Sequence, residues 1–256
     1  MTAYNDRLAV AADIPASIGL LTRLPVRLAD DQVLRRGGRS AWAWPLVGVI
    51  PAGLGALAGF VALAFGAPAL WAAALMLVVQ VMITGALHED GLADTADGLW
   101  GGATRARRLE IMKDSHIGTY GVIALVLSLL LRVAALMVIL PADGAFWAIV
   151  VAGIVSRAPM VALAATMSKA RPGGLSHAVG LVPGRTAWLA VGLSAVCALV
   201  LTPYAVLGLL FWCALGGAVV AVSAARKIGG QTGDVLGASQ QVAEIAALAV
   251  FATQLG

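Results

Sequence analysis

The chain has 256 residues, of which 61% are hydrophobic and 12% are charged, and its formal net charge is +4. Its mean hydropathy is +0.93, which is more apolar surface than a soluble core of this length can bury. The composition excludes a soluble globular domain and predicts an integral membrane protein. We assign the positive charge to membrane topology and to contact with membrane lipid, not to nucleic-acid binding.

Seven apolar runs are long enough to cross a bilayer, at about 20 residues per crossing. They are residues 42–65, 69–87, 119–140, 145–166, 187–202, 204–225 and 235–255. No run shows the alternation of a membrane β-barrel. We predict an all-α, polytopic transmembrane helix bundle of about seven spans. It forms a single integral membrane domain over residues 1–256, with a cytoplasmic, interfacial N-terminal segment at 1–40 and the helical bundle at 41–256.

Basic residues indicate the orientation of the bundle. Outside the spans, every Lys and Arg falls in alternate loops: Arg7, Arg23, Arg27, Arg35, Arg36, Arg39, then Arg105, Arg107, Arg108, Lys113, then Lys169, Arg171, Arg185, then Arg226 and Lys227. The opposite loops are only a few residues long and contain no Lys or Arg. By the positive-inside rule the basic loops are cytoplasmic. We therefore expect a multi-pass protein of the cell inner membrane with long cytoplasmic loops and short outer loops.

The N-terminal segment contains a weakly amphipathic stretch at residues 8–21, followed by Trp42 and Trp44 at the entrance to the first span. Tryptophan is typical of the headgroup level of a bilayer. The stretch is interpreted as an interfacial helix that anchors the chain, and a role in contacting substrate is the alternative.

An acidic run follows the second span. Its aspartates Asp90, Asp94 and Asp97 are spaced i, i+4 and i+7, so on a helix they lie within about 60° of one another. Like charges at this spacing repel, and carboxylate oxygens are the ligands that hard divalent cations prefer. We predict that these three residues bind a metal ion. Gly91 and Gly98, which are costly in a helix, indicate a backbone that something approaches closely.

His88, at the start of the same run, lies further round the helix and is a candidate general base for a hydroxyl group. A histidine that simply packs at the interface is the more common case.

The second basic loop supplies positive charge after the acidic run. Arg105 and Arg108 are candidate phosphate ligands, although for these residues alone the positive-inside rule is the favoured explanation. Lys113, Asp114 and Ser115 form a second polar group, for which a functional role and a solvated loop are equal alternatives. Phosphoryl transfer requires carboxylates that bind a cation and, beside them, basic groups that bind phosphate. The acidic run and the basic loop together supply both.

Charged residues also occur inside the predicted spans. Arg132 and Arg157 lie in the third and fourth spans, and Glu244 lies in the seventh. An unpaired charge there costs about 2.5–3.5 kcal/mol on insertion scales, so we expect Glu244 to pair with one of the arginines. Arg157 is a candidate for binding an anionic substrate, with a structural ion pair as the alternative.

Two further loops on the basic side are rich in glycine. Residues 171–185 could close over a substrate or act as a linker. Residues 229–238 open the last span, where Thr232 and Asp234 are candidates for contacting an anion or a metal-bound substrate, or for capping the helix.

Several motifs occur together along the chain. They are Asp90-Gly91-Leu92-Ala93-Asp94 with Asp97-Gly98, Ile111-Met112-Lys113-Asp114-Ser115 with Gly118, and Gly229-Gly230 with Thr232-Gly233-Asp234 and Leu236-Gly237-Ala238, supported by Thr22-Arg23-Leu24-Pro25, Pro45-Leu46-Val47-Gly48 and Ser156-Arg157. In this order they closely resemble the cobalamin synthase family of adenosylcobinamide-GDP ribazoletransferases. The likeness extends from the N-terminus to the last span.

The resemblance implies a Mg²⁺-dependent inner-membrane phosphotransferase acting late in cobalamin biosynthesis. It implies that a hydroxyl of α-ribazole, or of its 5′-phosphate, attacks the cobinamide-linked phosphorus of adenosylcobinamide-GDP and that GMP leaves. Mapped onto this chain, Asp90, Asp94 and Asp97 are the metal and diphosphate site. The resemblance also maps its second motif onto Lys113, Asp114 and Ser115 and its glycine motif onto Thr232 and Asp234. Together with the candidates drawn from the residues themselves, we predict that His88, Lys113 and Asp114 are catalytic. We predict that substrate is bound by Arg105, Arg108, Ser115, Arg157, Thr232 and Asp234.

The chain departs from the family pattern at three positions. His116 replaces an expected arginine, Gln241 replaces a frequent glutamate, and Glu89 is acidic where the pattern is not. Two other functions remain open: a CDP-alcohol-phosphotransferase-like enzyme, whose spacing Asp94 and Asp97 do not fit, and a divalent metal transporter. An oligomer is possible.

Overall fold

The structure is a computed structural model that describes residues 7–26 and 36–256. Arg27 and Arg35, two of the basic residues used to orient the chain, lie outside the described residues. Within those residues the chain forms helices and no strand, apart from an isolated bridge between Lys169 and Gln231. The predicted all-α fold is confirmed.

We number the α-helices in chain order. They are α1 (Asp13–Leu21), α2 (Trp44–Val47), α3 (Val49–Ala64), α4 (Ala69–Thr84), α5 (Leu87–Gly101), α6 (Arg105–Ile111), α7 (Thr119–Ile139), α8 (Ala145–Val155), α9 (Ala158–Thr166), α10 (Leu175–Val179), α11 (Gly184–Leu201), α12 (Val206–Ile228) and α13 (Gly233–Leu255). Short 3-10 helices precede α2 at Gly37–Ala43 and α12 at Pro203–Ala205.

In the described part of the chain, 6 helices are long and apolar enough to cross a membrane, and up to 7 if a sharply bent pair is one span. The six are Gly37–Ala64, Thr119–Ile139, Ala145–Thr166, Gly184–Leu201, Pro203–Ile228 and Gly233–Leu255. Each coincides with one of the apolar runs in the sequence. The polytopic helix bundle is therefore confirmed, with a span count within one of the prediction.

The second apolar run is where structure and prediction differ. Helix α4 has only 16 residues, which is short for a bilayer, and the chain then bends by 89° into α5. Gly85 and Ala86 at the bend have φ angles of 64° and 58°, a left-handed conformation that glycine adopts easily and alanine uncommonly. Because α5 runs nearly perpendicular to α4, we treat α5 as lying outside the membrane-spanning segments.

The fourth span is interrupted near its middle. Helix α8 ends at Val155 and α9 begins at Ala158, so Ser156 and Arg157 lie in the break. Pro159 follows within the first turn of α9, where its missing N–H removes no helical hydrogen bond. The break allows the Arg157 side chain to leave the regular helix surface inside the bundle.

Helix α13 lies in the interior of the bundle, where, among the described spans, only the one at Ala145–Thr166 is more buried. In its spanning window 72% of the residues are buried, against 22% for the spans formed by α11 and α12. It packs against α5, α7, α8, α9 and α12. Its polar residues Ser239, Gln240 and Gln241 are at most 1% exposed, so they face protein and not lipid. This explains why the last apolar run in the sequence is only partly apolar.

The N-terminal segment is attached through a buried ion pair. The carboxylate of Asp13 accepts hydrogen bonds from Arg36 Nε at 2.6 Å, Arg36 Nη2 at 2.9 Å and Trp42 Nε1 at 2.7 Å. Asp13 is fully buried, and every one of these donors lies on the neighbouring segment. The pair holds α1 against the start of the first span, and the interfacial position of α1 remains a prediction.

Candidate active site

The site forms where α5 crosses the beginning of α13. Gly91 on α5 and Gly237 on α13 face each other, and a Cβ on Gly91 would lie 2.8 Å from the carbonyl oxygen of Asp234. Only glycine allows the two backbones to come this close. The predicted close approach at Gly91 is therefore an approach by another helix of the protein. It brings Asp234 to the acidic face of α5.

Asp90, Asp94 and Asp234 form the acidic cluster of the site. Asp90 is exposed and Asp94 is partly buried. Burial, followed by the charges of Asp90 and Asp234, raises the pKa of Asp94 to about 7, against a smaller opposing effect of Arg171. Negative charge is therefore in excess here, which favours the binding of a cation.

Asp234 is oriented by two neighbours. Its Oδ2 accepts hydrogen bonds from Arg171 Nη2 at 2.9 Å and from Thr232 Oγ1 at 3.0 Å. The Thr232 hydroxyl oxygen in turn accepts the backbone N–H of Val235 at 3.3 Å and caps α13. Thr232 thus holds the helix start and the carboxylate in one arrangement, and its contact with substrate remains a prediction.

Asp97 has a structural role that the sequence spacing did not predict. It is buried, and its two oxygens accept the backbone N–H groups of Gly118 at 2.7 Å and Gly121 at 2.8 Å. A carboxylate at these positions caps the N-terminus of α7 and favours its dipole. Asp97 therefore fastens the loop after α6 to α5, and its assignment as a metal ligand remains a prediction.

Magnesium chemistry is compatible with the acidic cluster. Among the described residues, no group of three or more His, Cys, Asp or Glu side chains converges closely enough to hold a metal ion by itself. Mg²⁺ is commonly held by one or two carboxylates together with substrate phosphates and water. Asp90, Asp94 and Asp234 supply carboxylate ligands of that kind. The residues therefore fit a Mg²⁺ ion whose remaining ligands come from the phosphates of a substrate.

His88 lies beside Arg157 under the acidic cluster. Its ring is 2% exposed, and its Nε2 is 3.5 Å from Arg157 Nη2. Burial, followed by the charge of Arg157, holds the pKa of His88 well below its ordinary value. The imidazole is therefore uncharged, but burial and the neighbouring guanidinium groups also make it a weak proton acceptor, so its role as a general base remains a prediction. Arg157 also donates from Nη1 to the carbonyl oxygen of Gly153 at 2.7 Å.

A second charged cluster lies deeper in the bundle around Arg132. Arg132 is 2% exposed and donates to Glu89 Oε1 at 2.9 Å and to Glu244 Oε1 at 3.1 Å. Gln241 donates to the same Glu89 oxygen at 3.2 Å. The structure thus pairs Glu244 with Arg132, not with Arg157. It also shows the role of Glu89, which is the second carboxylate that pairs with the Arg132 guanidinium.

Arg105 and Arg108 hold the end of α12. Arg105 donates to the carbonyl oxygens of Ile228 and Ala170, both at 2.7 Å. Arg108 donates to the carbonyl oxygen of Lys227 at 3.0 Å. Cations at the C-terminus of a helix satisfy its last carbonyl groups. The two arginines therefore make specific contacts that the positive-inside rule alone does not explain. Their binding of substrate remains a prediction.

Lys113, Asp114 and Ser115 lie on an exposed segment after α6. Asp114 Oδ1 accepts from the ring Nδ1 of His116 at 2.7 Å, and this hydrogen bond lowers the pKa of Asp114 and raises that of His116. Arg171 Nη1 donates to the carbonyl oxygen of Met112 at 3.3 Å while its Nη2 holds Asp234. The exposed segment is thereby tied to the acidic cluster.

A cavity of about 90 Å³ opens beside the acidic cluster. His88, Asp90 and Asp234 line one part of it, with Ser176 of α10 nearby. The other walls are apolar and include Leu21, Trp44, Met160, Val182 and Leu236. The glycine-rich loop at 171–185 thus contributes to the cavity wall, and its closing over a substrate remains a prediction.

Comparison with known proteins identifies the chain. A family model described as cobalamin-5-phosphate synthase matches residues 13–252. The chain belongs to the cobalamin-5-phosphate synthase family. Similar proteins named adenosylcobinamide-GDP ribazoletransferase occur in Bradyrhizobium diazoefficiens, with 43% identity over 96% of both chains, and in Azorhizobium caulinodans, with 44% identity over 93% of this chain and 94% of the relative. No solved structure matches the chain.

Membership of the cobalamin-5-phosphate synthase family decides between the classes of function left open by the sequence. The chain is an enzyme, a transferase, and the family matches it from α1 to the last turns of α13. The metal-transporter interpretation is therefore not needed to explain carboxylates in a membrane bundle.

Three residues in this member of the cobalamin-5-phosphate synthase family were missed as site residues by sequence reasoning. Arg171 holds Asp234, and Ser176 Oγ donates to Gln231 Oε1 at 2.8 Å, which fixes α10 next to α13. The only sequence signal was their position in or beside glycine-rich loops on the basic side of the membrane. Such loops say little about which chain segment their side chains contact.

Proposed function

We propose that this chain joins adenosylcobinamide-GDP to α-ribazole, or to its 5′-phosphate, and releases GMP. Support comes from its family and from relatives of 43% and 44% identity named adenosylcobinamide-GDP ribazoletransferase. The products are adenosylcobalamin, or its 5′-phosphate, and GMP. The observation that supports particular residues is the crossing of α5 and α13. Among the described residues, Arg171 alone offsets the charge of Asp90, Asp94 and Asp234 there.

The proposed reaction is a phosphoryl-group transfer. An oxygen of the ribazole ribose forms a bond to the phosphorus that carries cobinamide, and the bridging P–O bond to the guanylyl group breaks. GMP departs with the bridging oxygen and its electron pair, and the hydroxyl proton passes to a base at the site. His88, which is neutral and lines the cavity with Asp90 and Asp234, is our candidate for that base.

We propose that Asp90 and Asp94, with Asp234 beside them, hold Mg²⁺ on the diphosphate of the substrate. The bound ion would supply Lewis-acid neutralisation of the phosphate oxygens, which is the main requirement of phosphoryl transfer. Three carboxylates facing one guanidinium leave about two negative charges uncompensated, if all of them ionise, and a divalent cation matches that excess. Asp97 would act by fixing the loop after α6.

The basic and hydroxyl residues around the cluster are proposed to bind the phosphates. Lys113 lies on the exposed segment that Arg171 ties to Asp234, so it is placed to neutralise charge on the departing GMP. Asp114 and Ser115 are proposed to act on the same segment. Arg105, Arg108 and Arg157 are proposed to contact substrate with the N–H donors that their protein partners leave unused. Thr232 is proposed to contact substrate as an acceptor, because its one hydroxyl hydrogen is donated to Asp234.

The experiment is an assay of GMP release from adenosylcobinamide-GDP with added α-ribazole, with and without Mg²⁺. We expect release only when acceptor and Mg²⁺ are both present, and a loss of about 100-fold or more in Asp90→Asn. Asp143→Asn is the matched control, because Asp143 is an exposed aspartate in the short loop between α7 and α8. Wild-type release by Asp90→Asn, in protein inserted normally in membranes, would disprove the metal assignment.

We further propose that the site faces the cytoplasm from the inner membrane. Support comes from the basic residues of the loops around the site and the lack of Lys and Arg in the short opposite loops. A cysteine at Lys169 should react with an impermeant maleimide only in inverted vesicles, and a cysteine at Asp143 only in right-side-out vesicles. The reverse pattern would place the site outside.

A further inference from the structure

The cavity beside the acidic cluster has two chemically different ends. Asp90, Asp234 and His88 line one end, where the proposed phosphoryl transfer takes place. The body of the cavity is enclosed by the apolar side chains of Leu21, Met160, Val182 and Leu236 and by the indole of Trp44, each at most 4% exposed. A ligand that fits must therefore combine a polar, hydroxyl-bearing part with an apolar body.

The two substrates offer four bulky groups that could occupy this cavity. Guanine and the adenine of the adenosyl group each carry several polar ring and amino groups, and burying these against leucine, methionine and valine without partners is costly. A cavity of about 90 Å³ has to widen to admit a two-ring base. The corrin ring with its amide side chains is far too large for it even then. The dimethylbenzimidazole base of ribazole is flat and apolar, has two methyl groups and has a single ring nitrogen free to accept a hydrogen bond.

A buried donor in the cavity wall matches that single acceptor. Trp44 Nε1 is buried and has no hydrogen-bond partner among the described residues, although Trp44 itself is 2% exposed and lines the cavity. An unsatisfied buried N–H costs about 1–3 kcal/mol. A ligand that offers one acceptor atom beside an aromatic ring face would remove this cost by a small movement of the indole. Guanine would satisfy the same donor but leave its own donors unpaired.

We propose that this cavity binds the dimethylbenzimidazole base of the acceptor, with its ribose directed toward Asp90 and Asp234. The inference rests on the proposed function, because that function supplies ribazole as the acceptor. Helix α1, through Leu21, and helix α9, through Met160, then set the selectivity for the base. These residues contact the acceptor and not adenosylcobinamide-GDP.

The test is direct binding of radiolabelled α-ribazole to the purified full-length protein, without turnover. Met160→Gln keeps the length of the side chain and adds an amide, and it should weaken α-ribazole binding about tenfold. Trp44→Phe keeps an aromatic ring and removes the N–H, and it should weaken binding about fivefold. Met167→Gln is the matched control and should bind α-ribazole normally, because Met167 follows the last residue of α9 and does not line the cavity.

Competition and kinetics complete the test. GMP should not displace α-ribazole, and Met160→Gln should raise the KM for α-ribazole about tenfold while leaving the KM for adenosylcobinamide-GDP unchanged. Displacement by GMP, or a KM effect confined to adenosylcobinamide-GDP, would overturn the proposal. Because binding is measured without turnover, absence of GMP release would count against the proposed function alone, whereas loss of α-ribazole binding in the wild type would count against this cavity.

Discussion

Helices α5 and α13 together carry two charged clusters that differ in charge balance. The core cluster sets Glu89 and Glu244 against Arg132, with Arg157 nearby, so two carboxylates meet two guanidinium groups. In the part of the chain that the structure describes, the surface cluster sets Asp90, Asp94 and Asp234 against Arg171 alone.

The balance between carboxylate and guanidinium groups distinguishes two roles for charge on the same pair of helices. The charges of the core cluster stabilise the fold, and those of the surface cluster are available for function. Charges that are buried and balanced hold helices together, because every removal leaves an uncompensated partner. Charges that are partly exposed and lack enough partners of opposite charge in the protein can bind a ligand of opposite charge. The glycine crossing at Gly91 and Gly237 makes both clusters possible, since it brings α5 and α13 into contact.

The largest expected effect comes from breaking the core cluster. Arg132→Met leaves Glu89 and Glu244 buried without their cation, and we expect a loss of about 3–5 kcal/mol in the free energy of unfolding. Thermal unfolding in detergent measures it. Arg107→Met is the control, because the Arg107–Glu110 pair is 59% and 68% exposed and should contribute at most about 1 kcal/mol. Equal effects of the two substitutions would contradict the structural role of the core cluster.

A smaller effect is expected at Asp97, which belongs to neither cluster in the structure. Asp97→Ala leaves the N–H groups of Gly118 and Gly121 without their acceptor, so unfolding should become easier by about 1–3 kcal/mol. Mg²⁺ affinity, measured by isothermal titration in the presence of substrate, should change less than about threefold if Asp97 only positions the loop. A loss as large as that of Asp90→Asn would make Asp97 a metal ligand after all.

Removing the single cation of the surface cluster tests its imbalance. Arg171→Met should lower GMP release about tenfold, because Asp234 and the Met112 carbonyl lose their common donor. Mg²⁺ should bind at least as tightly as in the wild type, since a competing positive charge has gone. Weaker Mg²⁺ binding in Arg171→Met would show that orientation of Asp234 matters more than charge.

The smallest expected effect is on the unfolding temperature of the protein in the absence of Mg²⁺. Asp94 has a pKa of about 7 in the folded chain, above the ordinary value, so the folded state binds its proton more tightly than the unfolded state does. Stability is therefore lost as the pH rises from the ordinary aspartate pKa toward 7. Asp94→Asn should unfold at a higher temperature than the wild type at about pH 8 without Mg²⁺, and the difference should disappear at about pH 4. A constant difference across this range would argue against titration of Asp94.

Local sequence patterns were sufficient for the fold and for the acidic helix. Apolar runs located the spans, and the i, i+4, i+7 spacing placed Asp90, Asp94 and Asp97 on one helix, which the structure confirms as α5. The bend before α5 was not predicted, because the run at 69–87 continues to be apolar past Gly85. The left-handed conformation of Ala86 at this bend is imposed by the surrounding structure, so the hydropathy of the sequence does not predict it.

The partners of the charged residues were less accessible to sequence reasoning. The prediction that Glu244 pairs with an intramembrane arginine was right, but nothing in the sequence distinguishes Arg132 from Arg157 as that partner. The same is true of Arg171, whose contact with Asp234 joins residues 63 positions apart. Such pairs depend on how helices cross, and crossing is decided by packing at a few small residues such as Gly91.

The sequence by itself determined that this is a polytopic membrane protein of the cobalamin-5-phosphate synthase family with an acidic helix at one side of the bundle. These properties follow from composition, periodicity and motif order, which are local in the chain. Only the tertiary structure decided that Asp234 joins Asp90 and Asp94, that Asp97 caps α7, and that an apolar cavity adjoins the acidic cluster. Charge balance and cavity shape arise from contacts between distant segments, so they exist only once the helices have packed.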